Sequence, residues 1–98
     1  MLLAFSVAPT TANEDGSVAA AVAAAVTIVK DSGLPWELTS MFTTIEVEWD
    51  EVMDVVKRAT EAVLAVSPRV SLVMKADIRP GFTGQLSAKV DRVTRLLD

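Results

Sequence analysis

Apolar and polar residues alternate along the chain in several short stretches, and this period of two predicts β-strands. Residues 69–78 alternate over their whole length, and residues 36–39 form a shorter candidate strand. Residues 43–49 carry one apolar-rich side and one polar side: Thr43, Ile45, Val47 and Trp49 against Thr44, Glu46 and Glu48. Residues 2–8 are mostly apolar on both sides, which is typical of a strand in the middle of a sheet.

Three other stretches repeat their apolar residues at helical spacing. Residues 17–32 are rich in alanine, with Ser17 as the expected N-cap and Gly33 as the residue that ends the helix. Residues 50–66 and 85–97 are amphipathic, and Asp50 is the expected N-cap of the first of these. The predicted inward residues are Val52, Val55, Val56, Ala59, Val63 and Val66 in one helix, and Leu86, Val90, Val93 and Leu97 in the other.

The predicted order is strand, helix, strand, strand, helix, strand, helix. Two strand–helix–strand units that interleave through a central hairpin give a ferredoxin-like sandwich. The sequence therefore predicts an α+β fold with a βαββαβ core, in which a four-stranded antiparallel sheet carries both helices on one face and a C-terminal helix follows. The length of 98 residues fits a single domain over residues 1–98.

Composition narrows the possible functions. With 51% hydrophobic residues the chain has more apolar surface than a small monomer hides, so we expect an oligomer. A net charge of −4 disfavours nucleic acid and anionic membranes as partners and favours a small cationic ligand. Cysteine and histidine are absent, which excludes thiolate chemistry and a histidine base. The opening residues lack a secretory pattern, and the alanine-rich run is too short to span a bilayer, so we expect a cytoplasmic protein.

The sheet face opposite the two predicted helices mixes small, apolar and ionisable side chains, so we expect a ligand or a second subunit to cover it. Its predicted members are Ala4, Ser6, Thr44, Glu46, Glu48, Ser71, Val73, Lys75 and Asp77. Two loops add further candidates. Thr10, Thr11 and Asn13 are either ligand contacts or a solvated connection, and Arg79 with Gly81 and Lys89 either holds an anion or is solvated.

Several stretches together resemble the YkoF-like family of thiamine-binding proteins. They are Ser32-Gly33-Leu34-Pro35, Thr43-Thr44-Ile45-Glu46, Glu48-Trp49-Asp50-Glu51-Val52 and Arg69-Val70-Ser71, followed by Lys75, Asp77, Arg79 and Lys89. The resemblance implies a small ferredoxin-like domain that is not an enzyme, that associates into dimers or tetramers, and that binds thiamine or its hydroxymethylpyrimidine part. No cofactor is implied other than that bound ligand. The chain departs from the family at Phe42 and Val47, where glycine is usual.

Five residues are candidate ligand contacts: Glu46, Thr44, Phe42, Ser6 and Lys75. A carboxylate can pair with the cationic thiazolium or accept from the aminopyrimidine, and an aromatic ring can stack on either. Glu46 is alternatively a structural partner of Lys75 or an interface residue, and Thr44 alternatively a plain β-former. Phe42 either stacks on the ligand or plugs its site. Lys75 is alternatively paired with Asp77 or in contact with another subunit.

The sequence leaves three classes of function open. The first is a binding domain for thiamine or a related pyrimidine. The second is a structural or regulatory oligomerisation module without a ligand, whose open sheet face is filled by another subunit. An enzyme is the third class, but the Glu46 and Glu48 carboxylates lack any histidine, cysteine or phosphate-binding glycine loop to complete a site.

Overall fold

A computed structural model describes residues 1–10 and 18–97, so Thr11, Asn13 and the expected cap Ser17 lie outside the described residues. The chain forms four strands and three helices within that part. Their bounds are β1 (Leu2–Pro9), α1 (Ala19–Asp31), β2 (Trp36–Leu38), β3 (Thr43–Glu46), α2 (Trp49–Leu64), β4 (Val70–Asp77) and α3 (Gln85–Leu96).

The four strands form one antiparallel sheet in the order β2-β3-β1-β4, which confirms the predicted ferredoxin-like fold. β1 is central and pairs along its whole length with β4, from Leu2 opposite Asp77 to Pro9 opposite Val70. On its other side β1 pairs with β3 only as far as Phe5 opposite Thr43. The second half of β1 therefore has no strand beside it on the β3 side.

The hydrophobic core lies between the sheet and the pair of helices α1 and α2. Leu3, Phe5 and Val7 contribute from β1, and Ile45 contributes from β3. The helices add Ala25 and Val29 from α1, and Val52, Val55, Val56, Ala59 and Val63 from α2. The predicted stripe of α2 is thus confirmed except for Val66, which follows the helix and is 64% exposed.

The junction between β3 and α2 differs from the prediction. β3 ends at Glu46. Val47 and Met1 still exchange hydrogen bonds, which continues the β1–β3 pairing by one residue before the chain enters α2. Glu48, with an extended backbone, is the N-cap of α2 and provides no side-chain hydrogen bond. The assignment of Trp49 to the strand and of Asp50 to the cap was wrong: both are in the first turn of α2, and Trp49 is exposed.

β4 and α3 are far more exposed than their sequence patterns predict. All residues of β4 except Val70 are exposed, because this edge strand extends past the cover that α2 provides. α3 buries no residue completely, and the predicted inward residues Val90, Val93 and Leu97 are exposed. Only Leu86 of that predicted stripe is half-buried.

Ile45 and Val66 provide a matched test of where the core ends. The Ile45 side chain is fully buried, so Ile45→Ala should lower the free energy of unfolding by about 2–5 kcal/mol, as large-to-small core substitutions do. Val66→Ala should change it by less than about 0.5 kcal/mol because the side chain is in solvent. Urea denaturation measures both. Equal losses in the two variants would contradict this description of the core.

Candidate functional site

α3 crosses the sheet face opposite α1 and α2, and a glycine-containing turn directs it there. Gly81 and Gly84 both have positive φ angles, of 82° and 67°, which residues with a Cβ rarely adopt. Within this turn the Phe82 amide donates to the Arg79 carbonyl over 3.2 Å. The chain thereby reverses after β4 and places the first turn of α3 over β3.

The Glu46 carboxylate holds the start of α3 against the sheet. It accepts hydrogen bonds from the amides of Gln85 at 2.8 Å and Leu86 at 3.1 Å. These amides have no partner within the helix, and a negative charge near a helix N-terminus is stabilising. Glu46 is only 9% exposed, although its position in the pattern predicted a solvated side, because α3 covers it.

A second polar link joins α3 to the edge strand. The Lys89 Nζ donates to the Asp77 Oδ2 over 2.6 Å, and both side chains are about half exposed. This hydrogen bond and the charge of Lys89 hold the pKa of the Asp77 carboxyl below its usual value. Asp77 therefore pairs with Lys89 and not with Lys75, its predicted partner.

Between α3 and the sheet lies a cavity of about 310 Å³, here called the central cavity. Leu2, Ala4, Leu86 and Val90 make its apolar part. Its polar lining is Glu37, Thr39, Thr44, Lys75, Asp77, Gln85 and Lys89. The small side chains of β1 on this face leave the space that the helix roofs.

A second space of about 520 Å³, the acidic cavity, continues from the central cavity toward β2. The two share Glu37, Leu86 and Val90. Three carboxylates line the acidic cavity, those of Glu37, Glu46 and Asp91, and no lysine or arginine of the described residues does so. Trp36 borders this space, but it is opposite Ile45 in the hairpin and packs against the core. This end of the groove therefore favours a cation or a hydrogen-bond donor.

A third space of about 270 Å³, the basic cavity, lies at the opposite end. It shares Leu2, Asp77, Gln85 and Lys89 with the central cavity. Its lining includes the cations Arg79, Lys89 and Arg92, the anions Glu46 and Asp77, and the ring of Phe82. The three cavities thus form one groove that passes beneath α3, with the acidic cavity on the flank of Ser87 and Asp91 and the basic cavity on the flank of Lys89 and Arg92.

A separate cavity of about 260 Å³ lies where β1 has no β3 partner, between α1 and the β2–β3 connection. We call it the hairpin cavity. Phe42 and Ser6 line it with Thr39, Ser40, Thr43 and apolar side chains of α1, and none of its lining residues is charged.

The five predicted contact residues are therefore divided between two places. Thr44 and Lys75 line the central cavity, Glu46 lines both the acidic and the basic cavity, and Phe42 and Ser6 line the hairpin cavity. Both carboxylate oxygens of Glu46 accept from backbone amides of α3. The structural partner of Glu46 is therefore this helix and not Lys75. Thr10, a candidate loop contact, donates a hydrogen bond from its amide to the Ser67 Oγ over 3.1 Å.

Sequence reasoning missed Glu37, Asp91 and Arg92 as groove residues. Glu37 had a readable signal, because a residue opposite Thr44 in the hairpin shares the face of Thr44. Asp91 and Arg92 had none, since their positions depend on how α3 docks.

No group of three or more acidic side chains among the described residues could hold a metal ion. No helix within residues 1–10 and 18–97 is long and apolar enough to cross a membrane.

Comparison with known proteins identifies the family of the chain. The family model described as "Thiamine-binding protein" matches residues 3–94, so the chain belongs to that family. A UPF0045 protein of Mycobacterium bovis, Mb1933, is 50% identical over 98 residues, which cover 99% of this chain and 94% of the relative. The resemblance found in the sequence is confirmed.

Solved structures agree in fold. Hypothetical protein MJ1052 of Methanocaldococcus jannascii has a TM-score of 0.85 and 26% identity, covering 95% of this chain and 94% of the other. TM0486 of Thermotoga maritima, described as a candidate thiamine biosynthesis or salvage protein, has a TM-score of 0.77 and 25% identity, covering 93% and 97%.

Removal of the Glu46 carboxylate should loosen the roof of the groove. Glu46→Ala should weaken the first turn of α3 by about 1 kcal/mol, because its two amides lose their acceptor. Amide hydrogen exchange followed by NMR should show faster exchange at Gln85 and Leu86. Glu48→Ala is the control, since the Glu48 side chain makes no capping bond, and it should leave both rates unchanged. Unchanged rates in Glu46→Ala would show that the carboxylate does not hold the helix.

Proposed function

We propose that the protein is a non-enzymatic domain that binds thiamine or its hydroxymethylpyrimidine part and acts as an oligomer. The observation that carries this proposal is the groove beneath α3, whose acidic cavity combines the carboxylates of Glu37 and Asp91 with the apolar side chains of Leu86 and Val90. Support also comes from the family's description as a thiamine-binding protein and from the thiamine-related description of the Thermotoga maritima protein. A cytoplasmic location stays a prediction of the sequence.

The groove offers the kinds of contact that such a ligand needs. The Glu37 and Asp91 carboxylates can accept from the amino group of its pyrimidine, and their charge suits a ligand that is a cation. The apolar side chains of Leu2, Leu86 and Val90 in the central cavity would cover the ring edges. The Thr44 hydroxyl and the Lys75 amine supply donors in the same cavity for the acceptor nitrogens of a pyrimidine.

The hairpin cavity is the other place where a ligand ring would fit. Its uncharged lining and the Phe42 ring suit a neutral pyrimidine better than a thiazolium cation. A cationic ligand is therefore assigned to the groove, and substitutions at the two places distinguish them.

Thiamine should raise the melting temperature in a concentration-dependent way, because a ligand that binds only the native state stabilises it. A double variant of Glu37→Gln and Asp91→Asn should weaken thiamine binding by about tenfold, since two charged contacts are lost. Isothermal titration calorimetry measures the affinities. Glu61→Gln on the exposed face of α2 is the matched control and should bind as the parent does.

Phe42→Ala should leave thiamine binding unchanged if the groove is the site. Weaker binding in Phe42→Ala with no effect of the double variant would move the site to the hairpin cavity. No binding of thiamine or hydroxymethylpyrimidine at millimolar concentration would exclude the function and favour the oligomerisation module without a ligand.

Self-association is proposed to run through the exposed edge of β4. This strand is the last of the sheet, so its outer backbone groups have no strand partner among the described residues. Leu72, Val73 and Met74 are exposed in the middle of the strand, and only Lys75 places a charge there. Long apolar edges of this kind pair with other chains unless they are blocked. A second copy of the same strand would pair with it antiparallel about a twofold axis.

Leu72→Lys should therefore convert the oligomer to a smaller species, because a charge in the middle of an edge strand opposes pairing. Size-exclusion chromatography with light scattering measures the molar mass. Met41→Lys introduces the same charge at an exposed apolar residue beside the opposite edge of the sheet and should leave the mass unchanged. A parent protein that is monomeric at micromolar concentration would contradict the proposed oligomer.

A further inference from the structure

The basic cavity contains more positive charge than its own anions neutralise. Three cations, Arg79, Lys89 and Arg92, face two carboxylates there. Lys89 is paired with Asp77, and the charge of Glu46 is directed at the amides of α3. Neither Arg79 nor Arg92 makes an ion pair within the part of the chain that the structure describes, although the whole protein carries a net charge of −4.

Both arginines are nevertheless held in place by neutral partners. The Arg79 guanidinium lies over the Phe82 ring with 3.5 Å between Cζ and the ring centroid. The Arg92 Nη2 donates to the Gln85 Oε1 over 2.8 Å. An arginine carries five N–H donors in a rigid fork, so each guanidinium keeps donors for a further acceptor without first breaking an ion pair. The acceptor that fits such forks best is a phosphate or a carboxylate.

The position of this cavity on the groove identifies the ligand further. It adjoins the central cavity through Leu2, Gln85 and the Asp77–Lys89 pair, and the acidic cavity lies at the other end. A ligand that spans the groove would therefore have a cationic or hydrogen-bond-donating part at one end and an anionic part at the other. The helix N-terminus is not the anion site, because Glu46 already occupies it.

We propose that the basic cavity is a subsite for a phosphate group and that the ligand of the groove is a phosphorylated form of the thiazolium–pyrimidine compound. This inference rests on the function proposed above. Arg79 and Arg92 bind the phosphate oxygens. The thiazolium, whose hydroxyethyl arm carries the phosphate, lies next to them in the central cavity, and the aminopyrimidine extends to the acidic cavity, where a carboxylate accepts from its amino group. The polarity of the groove fixes the orientation of the ligand, since the reversed orientation would place the phosphate among three carboxylates.

The test compares thiamine with thiamine monophosphate by isothermal titration calorimetry at constant ionic strength. The monophosphate should bind about tenfold tighter or more, because hydrogen bonds between charged groups contribute that much. A double variant, Arg79→Gln with Arg92→Gln, should reduce monophosphate affinity to that of thiamine and leave thiamine affinity unchanged. Arg95→Gln makes a like change of charge on the same helix, outside the basic cavity, and should preserve the difference between the two ligands.

The remaining outcomes distinguish failure of the phosphate subsite from failure of the proposed function. Equal affinities for the two ligands, or a difference that the double variant preserves, would overturn the phosphate subsite and leave the proposed function standing. If neither ligand binds, the proposed function fails, and inorganic phosphate observed by phosphorus NMR then tests the cavity alone. Phosphate binding that requires Arg79 and Arg92 would support the subsite, and its absence would overturn both.

Discussion

The two faces of β1 impose the constraint on which the rest of the structure depends. One face carries Leu3, Phe5 and Val7, which pack on α1 and α2 and form the core. On the other face Ala4 and Ser6 are small, so whatever crosses that face leaves space beside the sheet. β1 pairs with β3 on one side and with β4 on the other. Residues opposite one another in these pairs share a face, so each face of β1 continues across the neighbouring strands. The core and the groove are therefore two consequences of one alternating strand.

The polar residues that close this groove have structural and electrostatic roles at once. Glu46 has its carboxylate at the start of α3, where it replaces the hydrogen-bond partners that the helix lacks. Asp77 and Lys89 join the same helix to the edge strand. These anchors leave Lys75 as the cation of the central cavity without an ion pair among the described residues. The other unpaired charges lie to either side, as the Glu37 and Asp91 carboxylates in the acidic cavity and the Arg79 and Arg92 guanidiniums in the basic cavity.

Local periodicity was sufficient to predict the fold but not the site. The α2 stripe from Val52 to Val63 was predicted because its burial depends on the helix period alone. Trp49 and Asp50 were misplaced because the alternation of residues 43–49 continues in the sequence past the point where the backbone leaves the sheet and α2 begins. Phe42 and Thr44 line different cavities because the pairing of β3 with β1 stops at Thr43. The alternation of residues within one strand does not show where its pairing with another strand stops. The exposure of β4 likewise depends on how far α2 reaches.

The scarcity of buried residues in α3 has a consequence for the proposed binding of a ligand. A helix with no fully buried side chain, held by a few polar links, belongs to the part of a protein with low local opening free energy. The undocked population of α3 then reduces the apparent affinity of the groove by the fraction of molecules that are open. By thermodynamic reciprocity, a bound ligand protects the helix from opening to the same extent. Recognition and ordering of the last helix are thus one coupled equilibrium.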